Sequence, residues 1–270
     1  MVGSFSCQTS PTKIINQDQV QVEAGQDLFQ GFLKLKPVIL DVRSPLDFSV
    51  SHSPGAVSVQ WQDFNKVQPG YRGILQDDEM SLARRFSLWG INPETPVLVV
   101  GSGLQGQGEE GRIAWVLKYL GVKDVQFAAW TVIRSTIPRT ETGPENKPIW
   151  KPVVQSHYLA RPEELKKASK DAIFLDVRDL TISETVRKKT GLEKFRIPVK
   201  KISWKKFITT KGLPEVKVLV DLQKENINKN QVIYVISENG LSSSAVTFLL
   251  REWGYQAKNF SGGFEFHELH

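Results

Sequence analysis

The chain has 270 residues, 40% of them hydrophobic and 24% charged, a globular balance that excludes a disordered or fibrous chain. No window approaches 18 consecutive apolar residues and no basic-then-apolar leader is present, which excludes a membrane-spanning helix and a signal peptide as written. The one cysteine excludes an internal disulfide, and the formal net charge of +6 is uneven: Lys and Arg outnumber Asp and Glu by 21 to 14 from Lys151 onward, against 14 to 15 before it.

Residues 1–18 read as a disordered leader. Within it, Ser4-Phe5-Ser6-Cys7-Gln8-Thr9-Ser10 sets Cys7 behind small residues, as at a lipoprotein cleavage site, but Ser4 stands where Leu is usual. The expected compartment is cytoplasmic; a lipid anchor on Cys7 is the alternative if a signal peptide was removed. A leading helix follows over Asp27 to Leu35. The apolar run Val38-Ile39-Leu40 then ends in Asp41-Val42-Arg43, and a second run, Val97-Leu98-Val99-Val100, feeds a glycine-rich loop. Short β-branched runs of this kind mark strands buried on both faces. Ile113, Val116, Leu117 and Leu120 recur at i, i+3, i+4 and i+7, and Gly121 supplies the stop of an amphipathic helix.

Residues 137–152 read as a linker, because Ile137 to Pro148 holds three prolines and no periodicity. Beyond it the pattern returns. Pro162 to Ala168 reads as a leading helix, and Ile173-Phe174-Leu175-Asp176-Val177-Arg178 repeats the first run. Val232-Ile233-Tyr234-Val235 repeats the second, and Val246, Leu249, Leu250 and Trp253, closed by Gly254, repeat the helix. The spacing is 135 residues from Asp41 to Asp176 and from Val97 to Val232, and 133 from Gly121 to Gly254. A repeat this long means two whole domains. The expectation is an α/β chain of two tandem domains, 19–136 and 153–270, each a doubly wound, mainly parallel sheet with helices on both faces. Ligand sites in such sheets lie beyond the carboxyl ends of the strands. That places them at the loops Gly101 to Glu110 and Ser237 to Ser243.

At these residues the chain resembles the tandem rhodanese-like family of thiosulfate and 3-mercaptopyruvate sulfurtransferases. Both Asp-Val-Arg triplets resemble the family's first motif. Ser51-His52-Ser53-Pro54-Gly55-Ala56-Val57 resembles its His-Ile-Pro-Gly-Ala segment. Gly108-Glu109-Glu110-Gly111-Arg112-Ile113-Ala114-Trp115 is similar to the non-catalytic first half, and Ser261-Gly262-Gly263-Phe264 to the late Gly-Gly turn. The resemblance covers about residues 20 to 267. It implies an active site in the second half, where a cysteine opens a loop patterned Cys-x-x-Gly-x-(Arg/Thr)-(Ser/Ala) and backbone N–H groups cradle an anionic persulfide. The aligned loop is Ser237-Glu238-Asn239-Gly240-Leu241-Ser242-Ser243: Gly240 matches, and Ser237 stands at the cysteine position. Arg196-Ile197-Pro198-Val199-Lys200 replaces the His-Ile-Pro-Gly-Ala segment, and Ala128-Ala129 replaces the first half's Gly-Gly turn.

A thiolate serves this chemistry as both nucleophile and leaving group, and a serine hydroxyl cannot store sulfur as a persulfide. The expected function is a catalytically degenerate, non-enzymatic binding module with no catalytic residue. Its ligand-binding loop is Ser237, Glu238, Asn239, Gly240, Leu241, Ser242 and Ser243, for a small anion or an acidic or Ser/Thr-rich peptide. The alternatives are a sulfurtransferase of unusual mechanism and a serine hydrolase at Ser237, which needs a nearby base.

Other signals weigh less. Gly101-Ser102-Gly103-Leu104-Gln105-Gly106 is literally Gly-x-Gly-x-x-Gly, but the next strand ends in Ala128-Ala129-Trp130 and not in an acidic residue, so the run reads as a flexible loop. Glu109 and Glu110 fit the first turn of the following helix and its dipole. Each Asp-Val-Arg aspartate reads as the end of a buried strand held by structural hydrogen bonds. Arg187, Lys188, Lys189, Lys200, Lys201, Lys205 and Lys206 form a basic run around Trp204 that reads as a solvated face; RNA or anionic lipid heads are the other reading. The four histidines make no metal-ligand spacing, and neither a metal nor a cofactor is expected.

Overall fold

The computed structural model describes residues 29–67, 73–134, 144–165, 167–179 and 196–263. The chain forms two units, one ending at Leu35 and one from Lys36 to His270. Of the first, residues 29–33 are helical. The second holds two four-stranded sheets.

The first sheet has the order β2-β1-β3-β4, with β1 Val38–Asp41, β2 Val57–Ser58, β3 Val97–Gly101 and β4 Val125–Ala129. The second repeats it as β6-β5-β7-β8, with β5 Ile173–Asp176, β6 Val199–Lys201, β7 Val232–Ile236 and β8 Gln256–Asn259. Every pairing is parallel. β3 and β7 are central and almost wholly buried, as their unbroken β-branched runs require. The edge strands β2 and β6 are short and largely solvent-facing, so no period-2 apolar pattern announces them in the sequence.

Helices α1 Pro45–Val50, α2 Glu79–Leu88, α3 Glu109–Leu120 and α4 Trp130–Ile133 accompany the first sheet. Helices α5 Pro162–Leu165, α6 Val218–Lys224 and α7 Leu241–Glu252 accompany the second. Local chemistry sets their starts. Ser44 caps α1 by accepting the Asp47 N–H at 3.1 Å, with Pro45 just inside. Asp78 caps α2 by accepting the Ser81 N–H at 3.0 Å. The expected stop at Gly121 is the C-cap of α3 (φ 98°), and Gly254 follows α7 at φ 82°.

Helices α3 and α7 join the halves. They run side by side in the same direction: Gly108 meets Ser242, Gly111 packs on Ala245, and near the far ends Lys118 pairs with Glu252 at 3.0 Å. A methyl on Gly111 would lie 2.5 Å from the Ala245 Cα, so only glycine lets the helices close this far. Trp115, Val116, Leu249 and Leu250 belong to one apolar core that continues through both halves. The parallel course brings both helix N-termini, and the loop ahead of each, to one end of the molecule.

Candidate functional site: the loops beyond the two central strands

Asp176 pairs with Ile236, which makes Ser237 the first residue past the end of the central strand β7. Three residues on, Gly240 takes φ 83° as the N-cap of α7. Part of the expected loop is therefore helix: Leu241, Ser242 and Ser243 form its first turn. Only Glu238 is largely exposed. Asn239 and Ser242 are half-buried, and Ser237, Gly240, Leu241 and Ser243 are buried.

Ser237 is 1% exposed, and its hydroxyl sits where the loop N–H groups converge. Its Oγ accepts from Gly240 N at 3.1 Å and Ser243 N at 3.3 Å. The hydroxyl donates to Ser243 Oγ at 3.0 Å, which donates to Asn259 Oδ1 at 2.7 Å. Asn259 Nδ2 donates to Ser244 Oγ at 2.8 Å, and Ser244 donates to Gly240 O at 2.6 Å. Among the described residues, no carboxylate or imidazole hydrogen-bonds Ser237. Its proton route ends on the Asn259 amide, which is no general base, so the described residues supply no base for the hydrolase alternative.

The network extends into the first half through Arg112, a residue that appeared in the sequence only as part of a motif. Arg112 lies on α3 and is fully buried. Its Nη1 donates to Ser244 Oγ at 3.1 Å and to Ser261 Oγ at 3.4 Å; its Nη2 donates to Asn65 Oδ1 at 2.9 Å and to Gly73 O at 2.7 Å. Among the described residues its Nε has no hydrogen-bond partner, and no carboxylate pairs with the guanidinium. Burial pushes its pKa down to about 9, so it stays charged at neutral pH. A sequence signal existed: an arginine three and four positions before Trp115 and Val116 falls on the apolar face of its helix.

Two segments close over the loop. Ser261 Oγ donates to Gly73 O at 2.9 Å and accepts from Leu75 N at 3.1 Å. Gly263, at φ 58°, leaves no room for a side chain against the Ser237 and Glu238 carbonyls. In the first half, where Ala128-Ala129 stands at the turn, β4 continues to Ala129 and α4 begins at Trp130.

The Asp-Val-Arg triplets each make the same internal fork. Arg43 Nε and Nη2 donate to Asp41 Oδ1 and Oδ2 at 3.0 and 2.7 Å, and Arg178 matches them on Asp176 at 3.0 and 2.8 Å. Both aspartates are 1% exposed at strand ends, as expected of structural acceptors. Arg178 Nη1 also lies 3.7 Å from Glu238 Oε2.

The Gly-x-Gly-x-x-Gly run forms the end of β3 and a 3-10 turn, Gly103–Gln105. Glu109 Oε2 accepts from Gln107 N at 2.7 Å. Glu110 lies in the first turn of α3 as expected, but it is 1% exposed, and among the described residues neither carboxyl oxygen completes a hydrogen bond. Desolvation pushes its pKa up to about 8. The N–H groups of Glu110 itself and of Gly103 oppose that, and the Glu109 charge adds to it.

Of the basic run, Arg187, Lys188 and Lys189 lie outside the described residues, as does Cys7. Lys200, Lys205 and Lys206 pair with Glu225 (3.2 Å), Asp179 (2.6 Å) and Asp221 (2.8 Å); Lys201 is exposed on β6. His52 Nδ1 bonds Phe48 O at 2.8 Å. Among the described residues, no three His, Cys, Asp or Glu side chains converge, and no helix is long and apolar enough to cross a membrane.

Residues 26–129 match the family model of the rhodanese-like domain. Among solved structures, YnjE aligns with a TM-score of 0.65 at 18% identity, over 84% of this chain and 59% of its own. This chain therefore spans less than two thirds of that protein. SseA from Escherichia coli, described as a 3-mercaptopyruvate sulfotransferase, aligns with a TM-score of 0.64 at 14% identity, over 88% and 97% of the two chains. A probable thiosulfate sulfurtransferase aligns with a TM-score of 0.56 at 19% identity, over 85% and 93%. At such identities the likeness establishes the fold. No curated protein sequence matches the chain significantly. Residues 26–129 thus match the rhodanese-like domain, and the two parallel sheets give the chain the fold of the tandem rhodanese-like proteins.

Proposed function

We propose that this chain is a catalytically silent member of the tandem rhodanese-like proteins, a non-enzymatic module that binds a small anion or an acidic or Ser/Thr-rich peptide at the loop Ser237–Ser243. One observation carries the reading. An alcohol oxygen, Ser237 Oγ, occupies the point beyond the central strand where two loop N–H groups converge. The rhodanese resemblance implies a cysteine there. Sulfane sulfur needs a thiolate that can be attacked and can leave; an alcohol supports neither step at neutral pH. Positive potential for an anion comes from the N-terminal end of α7 and from the charged Arg112, which donates to Ser244 in the first turn of that helix. The half-buried Asn239 and Ser242 are the loop's polar contacts for a ligand, and the Glu238 carboxylate at its rim faces Arg178.

The test is a sulfurtransferase assay on the full chain beside Ser237→Cys. The wild type is expected to form no thiocyanate from thiosulfate and cyanide and to release no sulfur from 3-mercaptopyruvate. The cysteine variant is expected to gain one of these activities, because the cradle around residue 237 is intact. Wild-type turnover that survives Cys7→Ser overturns the non-enzymatic reading. A Ser237→Cys protein that folds yet takes up no sulfane sulfur overturns the intact cradle.

A further inference from the structure

In the first sheet Asp41 pairs with Val100, and in the second Asp176 pairs with Ile236. Gly101 therefore stands in the first half where Ser237 stands in the second. Both are followed by a loop ending in a left-handed glycine N-cap, Gly108 at φ 95° and Gly240 at φ 83°. Gly101 has no side chain to fill the space that the Ser237 hydroxyl fills.

That space is not empty. A methyl built on Gly101 would lie 2.6 Å from the Glu110 carboxyl carbon and 2.9 Å from its Cβ. The Glu110 side chain turns back from the first turn of α3 into the place beside residue 101. It is 1% exposed, and among the described residues neither of its oxygens completes a hydrogen bond. The N–H groups of Gly103 and of Glu110 itself are close enough to oppose the rise in its pKa, without completing a hydrogen bond.

We propose that the loop Gly101–Gly108 and the start of α3 form a carboxyl-binding cradle whose occupant is the tethered side chain of Glu110, and that removing this side chain opens a site for a small monocarboxylate such as formate. The cradle suits this ligand class because it offers backbone N–H groups and the positive end of a twelve-residue helix beside the space that the Glu110 carboxyl fills. A tether fixes where the Glu110 oxygens can go and leaves its hydrogen bonds unmade; a free formate has no such constraint. The inference stands on the first half alone and is independent of what the second half binds.

The experiment measures thermal midpoints of the full chain at pH 7. Glu110→Ala is expected to melt several degrees below wild type and to recover with added sodium formate in a saturable way that equal sodium chloride does not reproduce. The wild type should gain no more from formate than from chloride. Identical responses of Glu110→Ala to the two salts overturn the cradle. Gly101→Ala pushes a methyl into the carboxyl and should melt lower than wild type, while Gly101→Ala/Glu110→Ala should melt above Gly101→Ala alone, because the methyl then fills the vacated space. A double variant that loses the sum of the single losses shows that residues 101 and 110 do not share one space, and overturns the proposal. If Glu110→Ala does not fold, Glu110→Gln decides: the neutral isostere should keep the wild-type midpoint, and a collapse of that variant too sinks the idea.

Discussion

The two halves fill the same place by different means. In the second, the residue that leaves the central strand supplies the occupant: the Ser237 hydroxyl accepts two loop N–H groups and donates onward, so its polar atoms are satisfied. In the first, that residue is Gly101, and the occupant comes back from nine positions later as the Glu110 carboxyl, without a completed hydrogen bond. One topology thus holds an occupant at both strand ends while leaving its chemistry free. The energetic consequence differs. A satisfied buried hydroxyl costs little, whereas an unsatisfied buried carboxyl stays neutral to avoid the desolvation of its charged form.

The strongest way to break this comparison is to cut the residue that joins the halves. Arg112→Met keeps the length and apolar stem of the side chain but removes four hydrogen bonds, to Ser244, Ser261, Asn65 and Gly73. Methionine escapes the cost of burying a guanidinium, but the acceptors it leaves behind are themselves buried or half-buried. The net loss is expected to be about 2–4 kcal/mol, read by urea unfolding. A loss below about 1 kcal/mol would mean that the apolar contact of α3 with α7 holds the halves without Arg112.

The buried central strands, the two long helices with their glycine stops and the repeat were legible in the sequence, because each carries its own periodicity, although the strand pairing sets Ile233 and not Val232 in the place of Val97. The edge strands β2 and β6 were not, since two or three mostly exposed residues leave no pattern. The position of Ser237 was legible from the strand that precedes it. Its partners were not: Asn259 lies on another strand, and Arg112 in the other half. Glu110 was read as a first-turn acid suited to the helix dipole, and it does lie there, but nothing in the sequence marked its burial. Here the missing side chain at Gly101 draws it inward, and only the register between the two sheets exposes that relation.

Removing the occupant of the second cradle sharpens the contrast. Ser237→Ala leaves the N–H groups of Gly240 and Ser243 without their acceptor and Ser243 Oγ without a donor. The expected loss is about 1–2 kcal/mol in urea unfolding. Amide exchange at Gly240 and Ser243 should accelerate more than at Val235 in the neighbouring strand. Unchanged exchange at those two amides would show that the N–H groups do not depend on the hydroxyl, and the parallel with Glu110 would then rest on shape alone.

The smallest expected effect separates the two cradles by pH. The folded-state pKa of Glu110 is raised from 4.5 to about 8, chiefly by burial, with Glu109 as the charged neighbour that adds to the shift. The folded protein therefore holds this proton where the unfolded chain has lost it. The contribution of the group to stability is fully present below pH 4.5 and is lost as pH rises through about 8. Between pH 7 and 9 the loss from this one group is on the order of 1.4 kcal/mol, one pKa unit of linkage. Glu110→Gln cannot ionise and should lack that part of the decline, while Ser237→Ala should keep it, since it leaves Glu110 in place. The comparison is best made as the difference in unfolding free energy between wild type and Glu110→Gln across this range, so that ionisations elsewhere cancel. A difference that does not change with pH would mean that Glu110 is already ionised at pH 7, and the first cradle would then have to hold a charge with donors it is not seen to engage.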